Sequence, residues 1–101
     1  MDKKIKVGVV GAGAISDIYI QNMIDRYDNL EVKSICSKNM SHAVEKAEKY
    51  GLKAYTYSEM LIDNEIDMIV NLTPLGVHYE IIKEALIAGK HVYTEKTITQ
   101  E

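Results

Sequence analysis

Five short runs rich in β-branched and apolar residues alternate along this chain with four stretches of helical period, and that alternation leaves few folds open. Ile5 to Val10 reads as a strand closing at Gly11. Residues 14 to 27 read as a helix, with Ile15, Tyr19, Met23 and Tyr27 at four-residue spacing and Ile18, Ile20 and Ile24 widening the apolar stripe. Leu30 to Cys36 is a second strand, with Leu30, Val32, Ser34 and Cys36 expected on one face. A second helix starts at Asn39 or Met40 and ends at Tyr50; Ala43, Ala47 and Tyr50 form its inner stripe, and Gly51 suits the left-handed stop. A short third strand covers Ala54 and Tyr55. Thr56-x-x-Glu59, or Ser58, caps a one- or two-turn helix through Ile62. Asp67 to Leu72 is a fourth strand ended by Pro74, and its Met68-Ile69-Val70 core suggests burial on both faces. Residues 77 to 88 form a helix with His78, Ile81, Ile82, Ala85 and Leu86 on one side. Gly89 ends it, and His91 to Thr94 is a fifth strand.

Strands separated by helices of this length require right-handed crossovers, and hence a parallel sheet. The expected architecture is α/β: a Rossmann-type, doubly wound parallel sheet in a three-layer αβα sandwich, forming one domain over residues 1–101 and lacking the last of the usual six strands. The length, 101 residues, suits a single domain. Net charge is −3, with 12 Lys and Arg against 15 Asp and Glu and no basic block, which argues against nucleic acid or a polybasic membrane surface as partner. The apolar run Val7 to Gly11 is too short for a signal peptide's core, and no window approaches a membrane span. The single cysteine, Cys36, permits no internal disulfide and fits a cytoplasmic setting. Cys36 itself reads as a small buried strand residue. Scattered histidines and one cysteine offer no metal-ligand spacing.

Gly11-Ala12-Gly13-Ala14-Ile15-Ser16 lies between the first strand and the first helix, where a dinucleotide fingerprint belongs. Gly11 permits the tight turn, and Gly13 lets the backbone approach a pyrophosphate. The start of the helix, from Ala14 and Ile15, offers free N–H groups and the positive end of its dipole. Ser16 replaces the third glycine of the pattern with a residue still small enough for close helix–strand packing. At the end of the second strand, where an acidic residue would hold an adenosine ribose 2′-hydroxyl, stand Cys36, Ser37, Lys38 and Asn39. No carboxylate is there to repel a 2′-phosphate; Lys38 suits pairing with one, and Ser37 suits donating a hydrogen bond. NADP is therefore favoured over NAD. Glu31 sits at the start of that strand, at the far edge of the sheet.

All carboxyl ends of a parallel sheet lie along one edge, so Gly11, Ser37, Thr73 and Lys96 are expected to face one crevice. Here the sequence resembles the Gfo/Idh/MocA family of glucose–fructose oxidoreductase and inositol dehydrogenase relatives. The likeness rests on Gly11-Ala12-Gly13-x-Ile15, Thr73-Pro74-x-x-x-His78 and Ala88-Gly89-Lys90-His91-Val92-x-x-Glu95-Lys96. The resemblance implies a catalytic role for Lys96, beside the nicotinamide and the reacting hydroxyl. It also implies cofactor contacts from Thr73, Pro74, His78 and Glu95 at the nicotinamide-ribose end. Where the family has Glu-Lys-Pro, this chain has Glu95-Lys96-Thr97.

The family's substrate-presenting domain has no counterpart in these 101 residues, so the chain alone is expected to be inactive. The full-length parent would transfer hydride between NAD(P) and a sugar, a polyol or a related hydroxy or keto compound. A stand-alone nucleotide-binding sensor without catalysis is the reading from a different class. His91 reads as structural and His42 as solvent-exposed. The open sheet edge makes a homo-oligomer plausible.

Overall fold

A computed structural model describes residues 4–11, 14–72 and 75–94 of the chain; at 14–15 and 75–78 the backbone alone is described. The element order is β1 (Ile5–Val10), α1 (Ala14–Arg26), β2 (Leu30–Cys36), α2 (Met40–Tyr50), β3 (Lys53–Ala54), α3 (Tyr57–Ile62), β4 (Met68–Asn71), α4 (Leu75–Ile87) and β5 (His91–Thr94). The strands form one five-stranded sheet in the order β3-β2-β1-β4-β5, and every pairing is parallel. Several boundaries differ from the sequence expectation, α1 and α4 each ending one residue early. β3 covers Lys53–Ala54 rather than Ala54–Tyr55, β4 is shorter by one residue at each end, and α4 begins at Leu75 rather than at 77.

Local chemistry accounts for the boundaries. Asn39 is the N-cap of α2; its side-chain oxygen accepts from the Ser41 N–H at 3.0 Å. Gly51 closes the helix at φ 73°, with its N–H donating to the Ala47 carbonyl. Thr56, not Ser58, caps α3 through a reciprocal box. The Glu59 N–H donates to Thr56 Oγ1 at 3.2 Å, and the Thr56 N–H donates to Glu59 Oε1 at 2.9 Å.

The sheet carries a core on each face. Val7 and Val9 of β1 pack with Ile20 and Met23 of α1, Ala43 and Ala47 of α2, and Val70 of β4. Val10 packs on the opposite face with Cys36, Met60 of α3, Ile69 and Ala85 of α4. The two-residue alternation along β1 and β4 thus feeds both cores, as strands buried on both faces must.

β2 breaks that alternation. Val7 pairs with Val32 but Gly8 pairs with Ser34, so Lys33 is an extra residue in a bulge. Leu30 and Val32 therefore pack towards α1 and α2, whereas Cys36 belongs to the α3/α4 core, and the single face expected for Leu30, Val32, Ser34 and Cys36 does not exist. The apolar stripe of α1 is also narrower than its spacing suggests. Ile20 and Met23 are buried, while Ile18, Ile24 and Tyr27 are exposed. On α4, Ala85 is buried and Ile81 packs beside it, but Leu86 turns outward.

Candidate dinucleotide site

The strand order places a topological switch between β1 and β4. From β1 the chain moves through α1 to β2 and β3 on one side; from β3 it crosses back to β4 and β5 on the other. Ligands of open parallel sheets bind in the crevice that such a reversal leaves at the carboxyl edge. That edge is fixed by register: Val10 lies opposite Cys36 and Asn71, and Asn71 lies opposite Thr94.

Gly11 occupies the switch. Its N–H donates to the Cys36 carbonyl at 2.8 Å, while the Leu72 N–H donates to the Val10 carbonyl at 2.9 Å. Its φ is +110°, a region that side chains rarely adopt, and a Cβ there would lie 3.2 Å from both the carbonyl carbon and the oxygen of Leu72. Glycine is thus required by conformation and by the close approach of the next strand end. The backbone of α1 begins at Ala14, three residues on, so the helix N-terminus follows directly from the crevice. Ser16, in the first turn, is completely buried, as close packing of helix on strand demands. Ala12 and Gly13 lie outside the described residues, as do the side chains of Ala14 and Ile15.

The adenosine end of the crevice follows β2. Ser37 is half-buried, and its hydroxyl accepts from the Asn39 N–H at 3.3 Å, which leaves its own proton to donate. Asn39 is committed to its cap: its Oδ1 also accepts from Ser41 Oγ at 2.7 Å. Lys38 is exposed and makes no ion pair among the described residues. Glu31 is exposed and opposite Lys6, at the amino end of the sheet. The Cys36 thiol is 5% exposed, and burial pushes its pKa up to about 11. Among the described residues, then, the β2 terminus carries a hydroxyl and an ammonium but no carboxylate.

Thr73, Pro74, Glu95 and Lys96 lie outside the described residues, and so does the His78 side chain. Their nearest described neighbours, Leu72 and Thr94, stand at the same carboxyl edge as Gly11. His42 is exposed, and so is His91, within β5.

Sequence reasoning passed over two residues with structural roles away from this edge. Gly8 lies under Met60, and Lys90, inside the family-like Gly89-Lys90-His91 stretch, is 8% exposed. The Lys90 Nζ donates to the carbonyls of Asp63 at 3.0 Å and Ile66 at 2.8 Å, tying the start of β5 to the loop before β4. Its place at the amino end of β5 makes it a structural lysine, on the opposite sheet edge from the crevice.

A family described as oxidoreductases with an NAD-binding Rossmann fold, Gfo/Idh/MocA, matches residues 5–101. The chain belongs to the Gfo/Idh/MocA oxidoreductase family. The uncharacterized oxidoreductase YrbE of Bacillus subtilis is 35% identical over 101 residues, which is 98% of this chain and 29% of that protein. The WlbA dehydrogenase of Bordetella pertussis, solved with NADH and UDP-GlcNAcA, is 33% identical with a TM-score of 0.86 over 93% of this chain and 29% of its own. A mutant 3-ketoreductase from Actinomadura kijaniata, solved with TDP-benzene and NADP, is 29% identical with a TM-score of 0.82 over 91% of this chain and 30% of its own. The chain therefore spans less than a third of the length of these Gfo/Idh/MocA proteins. It carries their NAD(P)-binding Rossmann domain.

Proposed function

We propose that these 101 residues form the cofactor-binding part of an enzyme that transfers hydride between NADP and a sugar, a polyol or a related hydroxy or keto compound. The observation that carries this reading is Gly11: a positive-φ glycine packed against Leu72 at the β1/β4 switch, directly before the N-terminus of α1. The bound nicotinamide would supply the hydride chemistry; the protein's share is binding and orientation. Gly11, Ala12 and Gly13 admit the pyrophosphate, with Ala14 and Ile15 opening the helix whose N–H groups face it. Ser37 and Lys38 receive the 2′-phosphate, one as hydroxyl donor and the other as cation. Thr73, Pro74, His78 and Glu95 line the nicotinamide end. Lys96 is the catalytic residue, hydrogen-bonding the substrate hydroxyl and assisting its proton transfer. The substrate is presented by a second domain outside residues 1–101, a division supported by the extra length of the relatives. The cytoplasm is the proposed location.

Calorimetric titration of the chain with NADPH and NADH tests the cofactor assignment. NADPH should bind more tightly, and Ser37→Asp should move the ratio towards NADH by at least about tenfold, by repelling the 2′-phosphate and accepting from the 2′-hydroxyl. Equal affinities in the unaltered protein, or a ratio indifferent to Ser37→Asp, would remove Ser37 and Lys38 from the site. Failure to bind either dinucleotide would remove the reading itself.

A further inference from the structure

We infer, on the reading that a pyrophosphate sits at the start of α1, that Asp17 lowers the affinity of the crevice for a dinucleotide and that Lys46 and Lys49 keep that loss small. A bound pyrophosphate and a first-turn carboxylate are both drawn to the positive end of the same helix dipole. α1 carries such a carboxylate, Asp17. α2 and α4 also begin at the carboxyl edge, and neither has an acidic residue in its first turn.

The competing charge is close to the helix start. Asp17 stands three residues after Ala14, about 4.5 Å along the axis, and a helical side chain leans back towards the N-terminus. Charges are screened over about 10 Å at about 0.1 M salt, so the carboxylate lies within range of an anion bound there. Three groups of α2 answer it. Asp17 accepts from Lys46 Nζ, from Tyr50 Oη at 2.8 Å and from Lys49 Nζ at 3.5 Å. One carboxylate thus faces two ammonium groups, a cluster of net charge +1 across the seam between α1 and α2. Every member belongs to one of these two helices, and every contact runs between them.

The net charge of the cluster sets the effect on a bound phosphate. Asp17→Asn raises it from +1 to +2, Lys46→Gln lowers it to 0, and the double variant restores +1. The hydrogen bonds that hold α1 against α2 therefore place a negative charge beside the phosphates. Stability and cofactor affinity pull in opposite directions at this residue.

Calorimetric titration of the 101-residue chain and its variants with NADPH at low ionic strength tests the proposal. Asp17→Asn should bind at least about threefold more tightly than the original, although it is the less stable protein. Lys46→Gln should bind at least about threefold more weakly, and the double variant should return to the original value. In about 1 M salt, where the screening length falls to about 3 Å, the four affinities should converge. Asp25→Asn removes the same charge about 12 Å further along α1 and should leave the affinity unchanged. Should Asp17→Asn disturb the fold, Lys49→Gln carries the test, because Lys49 is 59% exposed. It should weaken binding with the same dependence on salt. An Asp17→Asn chain that binds no more tightly than the original, losses that add in the double variant, or an equal gain from Asp25→Asn would overturn the assignment. An original chain that binds no dinucleotide would instead remove the pyrophosphate site itself.

Discussion

Gly8 stands in the middle of β1, where glycine ordinarily weakens a strand. A Cβ at that position would lie 2.6 Å from Met60 Sδ and 2.9 Å from Met60 Cγ, and Met60 is completely buried. The missing side chain is therefore the space into which α3 docks. Gly8→Ala should destabilise the chain by about 1–3 kcal/mol through overpacking, the lower figure applying if the flexible thioether finds another rotamer. The midpoint of thermal unfolding should fall by roughly 4–8 °C for each kcal/mol lost. Met60→Ala, destabilising alone, should make Gly8→Ala nearly neutral in the double variant, because the clash would have lost its partner. A Gly8→Ala protein as stable as the original would show that the methionine, not the glycine, yields. Gly11 differs in kind: its φ of +110° makes any side chain there strained whatever space is available.

At the scale of elements, α1 and α2 are joined by one acidic residue in the first turn of α1. Asp17 accepts from Lys46 Nζ, from Tyr50 Oη at 2.8 Å and from Lys49 Nζ at 3.5 Å. The Lys46 and Tyr50 hydrogen bonds lower its pKa from 3.8 to about 2 against the opposing effect of desolvation. The position also suits the helix dipole. Because the folded-state pKa is depressed, the stabilisation is fully present above pH 3.8 and is lost as pH falls towards about 2. The carboxylate is 30% exposed, so solvent screening limits the contribution to about 1 kcal/mol. Asp17→Asn should therefore be less stable than the original near neutral pH by about that amount, and the difference should close between pH 4 and about 2. Urea unfolding of both proteins across this range checks it. A pH-independent difference would assign the effect to packing instead of charge. On the opposite face, Lys33 makes the corresponding link. From its bulge it pairs with Asp63 at 3.5 Å and with Glu65, and Tyr55 Oη donates to Asp63 at 2.9 Å. The bulge that upset the face alternation of β2 is thus what directs Lys33 to the loop before β4.

For the whole molecule, the proposed nucleotide site lies along the carboxyl edge of the sheet, and the match leaves about 70% of each relative uncovered. The proposed division of labour predicts dinucleotide binding without turnover. Steady-state assays of the purified chain over a panel of sugars and polyols should give no NADPH formation above the enzyme-free rate, although titration shows the cofactor bound. Sustained turnover by the 101-residue chain would place a complete active site within it.

The alternation of β-rich and helical segments, the caps at Thr56 and Gly51 and the turn at Gly11 were legible because each depends on local chemistry: period, side-chain oxygens and the absence of a Cβ. Those features determined the α/β class, the parallel sheet and the strand end at which a dinucleotide belongs. The likeness to Gfo/Idh/MocA proteins was legible for a related reason, since short stretches such as Gly89-Lys90-His91-Val92 keep their order along the chain. Four features were decided only in three dimensions. The extra residue at Lys33 depends on register with β1, which no window within β2 contains. The need for Gly8 depends on Met60, fifty-two residues away. The structural role of Lys90 depends on the carbonyls of Asp63 and Ile66. The outward turn of Leu86 depends on how much of α4 the sheet can cover. Sequence periodicity states which residues are able to be buried; the arc of each helix and strand that finds a partner decides which of them are.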